Sequence, residues 1–376
     1  MSIYLDNAAT TAVIPQAFEA ARETMTEAFG NPGSVHGKGK QASIVLDRAR
    51  AQVAKALEVE PKCITFTSGG TESINTALCG AAFKNKHLGK HIITTQIEHD
   101  ATLNTLRRLE QEGFEVSYIA PQKDGSVTLE SITEAIRPDT VLMSLMGVCN
   151  ETGALLPYSD AAKALKTRNP KALVHLDAVQ LFCKKEMDLK NIDLCSLSAH
   201  KIGALKGSGA LYIRQGLSIR PLIVGGGQEN GMRSGTEALP QIAAFGAAAQ
   251  VRAENLKNAE NHYKNLKSLL LSTLKEKDIP FELNSPEESS AHVVNISPCL
   301  LRSEVLIRML SDKGIYVSGG SACARGKKSH VLSAMKRSAK NIDSALRISF
   351  CPENTEEQVF SFCTALDEII KSFKAL

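Results

Sequence analysis

The sequence predicts an α/β protein: a mostly parallel central sheet in a large domain, followed by a smaller α+β domain. Three observations lead there. Between about residues 60 and 215, short β-rich runs alternate with helical patterns, as expected of a sheet with helices on both faces. Near residue 250 that alternation gives way to a long charged helical pattern. The length of 376 residues is more than one minimal core needs, so two packed domains are expected.

Taken in order, the strand candidates are Cys63–Thr67, His91–Thr95, Glu115–Ile119, Val141–Met146, Leu173–Asp177, Leu194–Ser198 and Ala210–Ile213. Helical patterns fall near Glu72–Lys84, Ala101–Gln111, Leu129–Arg137 and Ser159–Arg168. Ligands of such sheets collect at the carboxyl ends of the strands, so functional residues should follow strands directly. Past residue 250, Val251–Lys275 reads as one charged helix. Ser303–Lys313 reads as a helix closed by Gly314, and Ile315–Ser318 as a strand. Thr355-Glu356-Glu357-Gln358 is a capping box that opens the last helix.

Hydrophobic residues make up 43% and charged residues 22% of the chain, the balance of a water-soluble globular protein. Met1 to Asp6 lack a basic start followed by an apolar run, so no secretory signal is expected. The most apolar stretch, around Ile242–Ala249, is far short of the ~20 residues that span a bilayer. A cytoplasmic protein is therefore expected, with no membrane contact. The net charge of +4 is too mild for direct nucleic-acid binding, which needs clustered cations to release counterions. One basic run contains Arg325, Lys327, Lys328, Lys336, Arg337, Lys340 and Arg347 against a single acid, Asp343. It reads either as a solvated face or as the surround of a reactive thiol or an acidic partner. The nine cysteines never come closer than twelve residues, so no CxxC pair is available for zinc or dithiol exchange. Most of them should be small buried apolar residues.

Four motifs carry chemistry. Thr67-Ser68-Gly69-Gly70-Thr71-Glu72-Ser73 follows a strand and opens a helix. Its glycines expose backbone N–H groups, the helix start adds partial positive charge, and hydroxyls add donors. That suits a phosphate; a plain capped turn is the alternative. His175-Leu176-Asp177-Ala178-Val179-Gln180 ends an apolar run with an acid that is either a helix cap or a functional carboxylate. Ser198-Ala199-His200-Lys201 puts a lysine at a strand end, where desolvation would favour the neutral, nucleophilic amine. Lys206 lies close by, and this motif alone does not choose between the two lysines. Ser318-Gly319-Gly320-Ser321-Ala322-Cys323-Ala324-Arg325-Gly326 sets a cysteine after a strand among glycines and cations, which favour the reactive thiolate.

The combination is more specific than its parts. A phosphate nest, a downstream Asp177 and a lysine 24 residues later, Lys201, form the toolkit for pyridoxal 5'-phosphate. The lysine makes the Schiff base, the acid holds the pyridine nitrogen protonated, and the nest anchors the phosphate.

These motifs, with Tyr4–Thr11, Gly30–Ser34, Glu98-His99, Asn150-Glu151, Gly225–Thr236 and Arg347-Ile348-Ser349, resemble the class V aminotransferase group over nearly the whole chain. Within that group the chain resembles the cysteine desulfurases of the NifS/IscS kind. The resemblance implies the fold type I of pyridoxal-phosphate-dependent transferases. It also implies an arm of residues 1–14 joining the small domain, a large cofactor-binding domain of residues 15–250, and a small domain of residues 251–376 that carries the catalytic cysteine. Lys201 would hold the cofactor, Asp177 would pair with its pyridine nitrogen, His99 would stack on the ring and move protons, and Gln180 would bond the ring's 3-oxygen. Gly70, Thr71, Ser198 and His200 would cradle the phosphate, and Thr236 would reach it across a homodimer interface. Asn150 and Arg347 would bind the carboxylate of the substrate L-cysteine, Arg347 by a bidentate fork. Cys323 would take the sulfur as a persulfide, leave L-alanine, and pass the sulfur to an acceptor or scaffold protein. Iron–sulfur cluster assembly and tRNA thiolation are the expected destinations.

The sequence departs from that family in three places. Gly203-Ala204-Leu205-Lys206-Gly207 stands where tyrosine-glycine-proline-lysine-glycine is usual, and Gly147-Val148-Cys149-Asn150-Glu151 where His-Val-Asn-Asn-Glu is common. Only the five residues 324–328 separate Cys323 from Ser329-His330-Val331-Leu332, fewer than in IscS-type relatives. A shorter loop implies slow or partner-dependent sulfur hand-off. Rival readings are a selenocysteine lyase, a sulfinate desulfinase or aminotransferase on the same fold, and a non-catalytic sulfur-assembly scaffold. Cys323 argues against a plain aminotransferase, and Lys201, Asp177 and His99 argue against a scaffold. A nicotinamide-dependent dehydrogenase lacks support, since no GxGxxG follows the first strand.

Overall fold

The structure, a computed structural model, describes residues 2–319 and 328–374; Cys323 and the cations Arg325 and Lys327 lie outside them. The chain begins with a two-residue strand, β1 (Ile3–Tyr4), and two helices, α1 (Pro15–Thr26) and α2 (Gly37–Ala56). The central sheet then forms from β2 (Ile64–Thr67), β3 (His91–Thr95), β4 (Glu115–Ile119), β5 (Thr140–Met146), β6 (Leu173–Asp177), β7 (Leu194–Ser198) and β8 (Gly209–Ile213). Helices α3 (Gly70–Asn85), α4 (Asp100–Gln111), α5 (Leu129–Glu134) and α6 (Tyr158–Arg168) alternate with these strands.

The seven strands run in the order β2-β8-β7-β6-β5-β3-β4. Only β8 is antiparallel to its neighbours, β2 and β7, while the remaining pairs are parallel. Strands β5, β6 and β7 are buried at every position, as their continuous apolar runs require when helices cover both faces. The carboxyl ends of β2, β3, β5, β6 and β7 therefore share one edge of the sheet. That edge is where the motifs predict a site.

Most element expectations differ from the structure by a residue or two. Helix α5 stops at Glu134 instead of running to Arg137. Pro138 follows Arg137, and a residue before proline avoids helical geometry. The expected single helix Val251–Lys275 is corrected to two, α7 (Leu239–Glu254) and α8 (Leu256–Glu276). They break at Asn255 (φ −108°, ψ 12°), whose side chain caps the first by donating to Val251 O at 3.0 Å. Val251 and Ala253 still pack on the core of the large sheet, whereas Ala259 and Tyr263 enter a separate C-terminal core.

That second core surrounds a three-stranded sheet of β9 (Glu282–Leu283), β10 (Val293–Ser297) and β12 (Leu346–Ser349). Helices α9 (Ser303–Asp312), α10 (His330–Ala334), α11 (Ala339–Ser344) and α12 (Glu356–Lys374) complete the C-terminal part. A two-residue strand, β11 (Ile315–Tyr316), pairs in parallel with β1, and Ile3 and Leu5 pack into the C-terminal core. The capping box is present: Gln358 N–H donates to Thr355 Oγ1, and Thr355 N–H to Gln358 Oε1, each at 3.4 Å.

Candidate active site

A cleft of about 220 Å³ lies at the carboxyl edge of the large sheet. It is lined by Gly70, Thr71, His99, Asn150, Asp177, Gln180, Ser198, His200, Lys201 and Arg347, together with Ala8 and Ala9 of the N-terminal segment. Each sheet residue arrives by the same route, one turn past a strand. Gly70 and Thr71 open α3 after β2, His99 precedes α4 after β3, and Asn150 follows β5. Asp177 ends β6, and Ser198 ends β7 immediately before His200 and Lys201.

Lys201 resolves the choice that the motif left open. Its Nζ donates to Ala8 O and Ala9 O, both at 2.7 Å, inside the cleft, whereas Lys206 is exposed. Asp177 is 5% exposed, and its Oδ1 accepts the Val179 N–H at 3.0 Å. Burial pushes this carboxyl up, opposed by neighbouring His99, the Val179 N–H and Lys201. Asp177 therefore caps a turn locally and at the same time presents a buried acid to the cleft. His99 likewise caps α4, its Nδ1 accepting the Ala101 N–H at 3.1 Å. That bond leaves the neutral ring's proton on Nε2.

His200 pairs its Nδ1 with Thr10 Oγ1 at 3.1 Å. Burial, reinforced by Lys201, pushes its imidazole down to about 4, so it is neutral near pH 7. Gly70 is required by close approach: a Cβ there would lie 2.9 Å from Val179 Cγ2 and 3.5 Å from Ser198 Cβ. The first turn of α3 brings Gly70 and Thr71 to the cleft beside Ser198, where the helix start leaves N–H groups without an intrahelical partner.

The opposite wall comes from β12. Arg347 is 1% exposed and is held by Asp6 Oδ1 at 2.7 Å and by Asn150 O at 3.0 Å. Its Nε is buried without a protein partner. Asn150 thus touches Arg347 through its backbone carbonyl as well as lining the cleft. Asp6 was not singled out from the sequence, although it lies within the quoted Tyr4–Thr11 segment. Only the fold brings it to Arg347.

Thr236 is the described site candidate that stands apart. It is exposed on a separate small cleft with Phe66, Thr67 and Arg233. The departure at Gly147 has a steric explanation, because a Cβ there would lie 2.5 Å from Leu181 Cδ2. Leu181 fills the room that a histidine would need. Of the basic run, Lys336 and Lys340 are solvated, Lys328 pairs with Asp343 at 3.3 Å, and Arg347 is buried in the cleft wall. Two ties flank the downstream end of the Cys323 segment. Ser329 Oγ donates to Glu151 Oε2 at 2.5 Å, and His330 Nε2 to Glu98 O at 3.0 Å.

Burial pushes the thiols of the eight described cysteines above their ordinary value. None of these eight sits in a setting that favours the thiolate. Among the described residues, no helix is long and apolar enough to cross a membrane.

Comparison with known proteins agrees with this arrangement. The cysteine desulfurase IscS of Methanosarcina thermophila is 39% identical over 377 residues, covering 99% of this chain and 93% of that protein. A solved structure of a NifS-like protein matches with a TM-score of 0.93 at 40% identity, over 99% of this chain and all of that one. A structure described as SspA in complex with cysteine matches with a TM-score of 0.81 at 33% identity, over 94% of this chain and 100% of that one. The family model for class-V aminotransferases matches residues 3–362, and the chain belongs to that family.

Proposed function

We propose that this protein is a pyridoxal-phosphate-dependent cysteine desulfurase that converts L-cysteine to L-alanine and holds the sulfur on Cys323. The observation that carries the reading is the convergence on one cleft of Lys201, Asp177 and His99 from the large sheet with Arg347 from β12. The close match to proteins named cysteine desulfurase selects this reaction among those of the family.

The residues fit the cofactor. Gly70 leaves a cradle that a Cβ would fill, beside free helix N–H groups and the Thr71 and Ser198 hydroxyls, as a phosphate requires. Asp177 is a buried carboxyl that calls for a cationic N–H partner, which a protonated pyridine nitrogen supplies. Lys201 is the amine that would hold the cofactor covalently. When bound, pyridoxal phosphate supplies a conjugated ring that stabilises negative charge on the adjacent substrate carbon.

The chain's own residues do the rest. Arg347, fixed by Asp6, binds the substrate carboxylate with help from Asn150. Lys201 takes and returns the proton at the substrate Cα. His99 presents Nε2–H to the cleft, because Nδ1 accepts the Ala101 N–H, and so serves there as a proton donor. Cys323 thiolate forms an S–S bond to the substrate sulfur as the substrate's C–S bond breaks, and the carbon takes up a proton to leave as alanine. The raised thiols of the other cysteines leave that role to Cys323.

The active unit on this reading is a homodimer. Exposed apolar side chains concentrate at Phe18, Met25, Phe29, Val35 and Ile44 and again at Leu222–Val224, more than an isolated surface would leave in water. Thr236 lies outside its own chain's cleft, where it is available to a second copy. The chain divides into the arm 1–14, the large domain 15–250 and the small domain 251–376; a C-terminal core that Ile3 and Leu5 join supports this, while Val331, Leu332, Met335 and Ala345 pack against the large domain's core. An acceptor protein, working in a cytoplasm that keeps thiols reduced, would take the sulfur onward. Purified protein mixed with L-cysteine should release alanine, and sulfide when a thiol reductant is present. Cys323→Ala should keep the visible absorbance of bound cofactor while losing alanine release; normal turnover in that variant overturns the nucleophile assignment.

A further inference from the structure

Lys184 is a buried charge that the proposed chemistry leaves unused. It is 5% exposed on the turn after β6, and its Nζ donates to Gln180 Oε1 at 2.8 Å. It makes no ion pair among the described residues. After burial the strongest influence on it is the charge of Lys201, then the Cys351 thiol acting the other way, then the cations Arg252 and Arg347. Burial and then Lys201 push its amine down to about 7. An ammonium in such a place costs stability, and a packed apolar side chain of similar length would not.

The hydrogen bonds show what Lys184 does in return. Gln180 Nε2 donates to Ala8 O at 2.8 Å, and Lys201 Nζ donates to the same carbonyl. Ala8 O can only accept, so the Gln180 amide nitrogen must face it and Oε1 must turn away, towards Lys184. A flipped amide would set oxygen against oxygen at Ala8. One N–H of Gln180 is used by Ala8, and the side chain lines the cleft, so the second N–H remains for a cleft ligand.

We propose that Lys184 is a positioning residue: it holds the Gln180 amide in the one orientation that offers an N–H to an oxygen of the bound cofactor. The inference rests on the pyridoxal-phosphate reading and adds to it a residue that acts through Gln180. Without the Lys184 donor, Gln180 Oε1 is left buried and unpaired, and the amide is free to turn.

The test is a double-mutant cycle on the holoenzyme, read by the release rate of pyridoxal phosphate and by the position of its bound absorbance band. Lys184→Met should speed release about tenfold and shift the band, and Gln180→Ala should do the same. In the double variant, Lys184→Met should add nothing to Gln180→Ala. Lys184→Gln, which keeps a donor, should return the band towards the wild-type position. A Lys184→Met effect that persists in full without Gln180, or a band unmoved by Lys184→Met, overturns the proposal. If Lys184→Met does not fold, Lys184→Ala, which also removes the donor, is read alone and with Gln180→Ala by the same criteria. Wild-type protein that takes up no pyridoxal phosphate would instead sink the cofactor reading, a different outcome from either.

Discussion

The two walls of the cleft are built by different means. The sheet side is local: Asp177, Ser198, His200 and Lys201 stand at the ends of β6 and β7, which are adjacent parallel strands. The small-domain side depends on distance in sequence, because Arg347 is aimed by Asp6, 341 residues earlier. Backbone pairing of Ser318 with Arg347, and the bridge from Asp6 to Ser349, hold that arrangement. One wall is set by strand order within a single sheet. The other is set by the return of the N-terminal segment onto the C-terminal core. On the proposed reading the sheet wall serves the cofactor and the β12 wall the substrate, so damage to each should have its own signature.

The largest effect should come from the sheet wall. On the proposed reading Lys201→Ala removes both the covalent anchor and the Cα base, and should cost at least ~10³-fold in kcat and abolish the visible band of the wild-type protein. Lys201 Nζ donates to the backbone carbonyls of Ala8 and Ala9, and a melting curve of the variant should show that the fold survives without those bonds. Arg347→Lys should do the opposite. Losing the fork should raise KM for L-cysteine roughly 10–100-fold while the visible band stays in place. Asp6→Asn should raise KM in the same direction by less, because Arg347 keeps its bond to Asn150 O. Steady-state kinetics with absorbance spectra of the same samples would show whether the two walls separate in this way.

The same contrast governs what could be read in advance. The ends of β3, β6 and β7 are plain in the sequence, because buried strands are short β-branched or leucine-rich runs with turns at each end. Lys201 and Asp177 follow from that reading almost directly. Helices α1, α2 and α7 were not legible. Their buried faces are built from small residues such as Ala17, Ala21, Ala42, Ala49, Ala244 and Ala248, which give a weak apolar stripe. Gly246 shows why small residues are needed there: a Cβ would lie 2.7 Å from Ala49 Cα. Arg347 and Asn150 were identified through family resemblance alone, since nothing local marks them. Lys184 is one of two adjacent lysines, and only the fold shows that it is buried while Lys185 pairs with Glu260 at the surface.

The smallest expected effect concerns Glu98, which is buried behind the sheet wall and takes no step in the reaction. It is 0% exposed; Oε1 accepts from Thr95 Oγ1 at 2.9 Å and from Met146 N–H at 3.0 Å, and Oε2 has no partner. Burial, with a smaller contribution from the charge of Asp177, pushes its carboxyl up from an ordinary 4.5 to about 8. A carboxyl raised by folding contributes stability that is fully present below about pH 4.5 and is lost as pH rises through about 8, where the buried group must ionise. Glu98→Gln keeps the same shape and an oxygen for Thr95 and Met146, but cannot ionise. Its melting temperature relative to wild type should therefore rise between pH 6 and pH 9, by roughly 2–4 °C for each kcal/mol regained. Kinetics near pH 7 should change little, since Glu98 is neutral there in the wild type. A constant difference in melting temperature across that range would show that Glu98 is already ionised at pH 6. The sheet wall would then carry a second buried negative charge beside Asp177, and the burial argument for this wall would have to be revised.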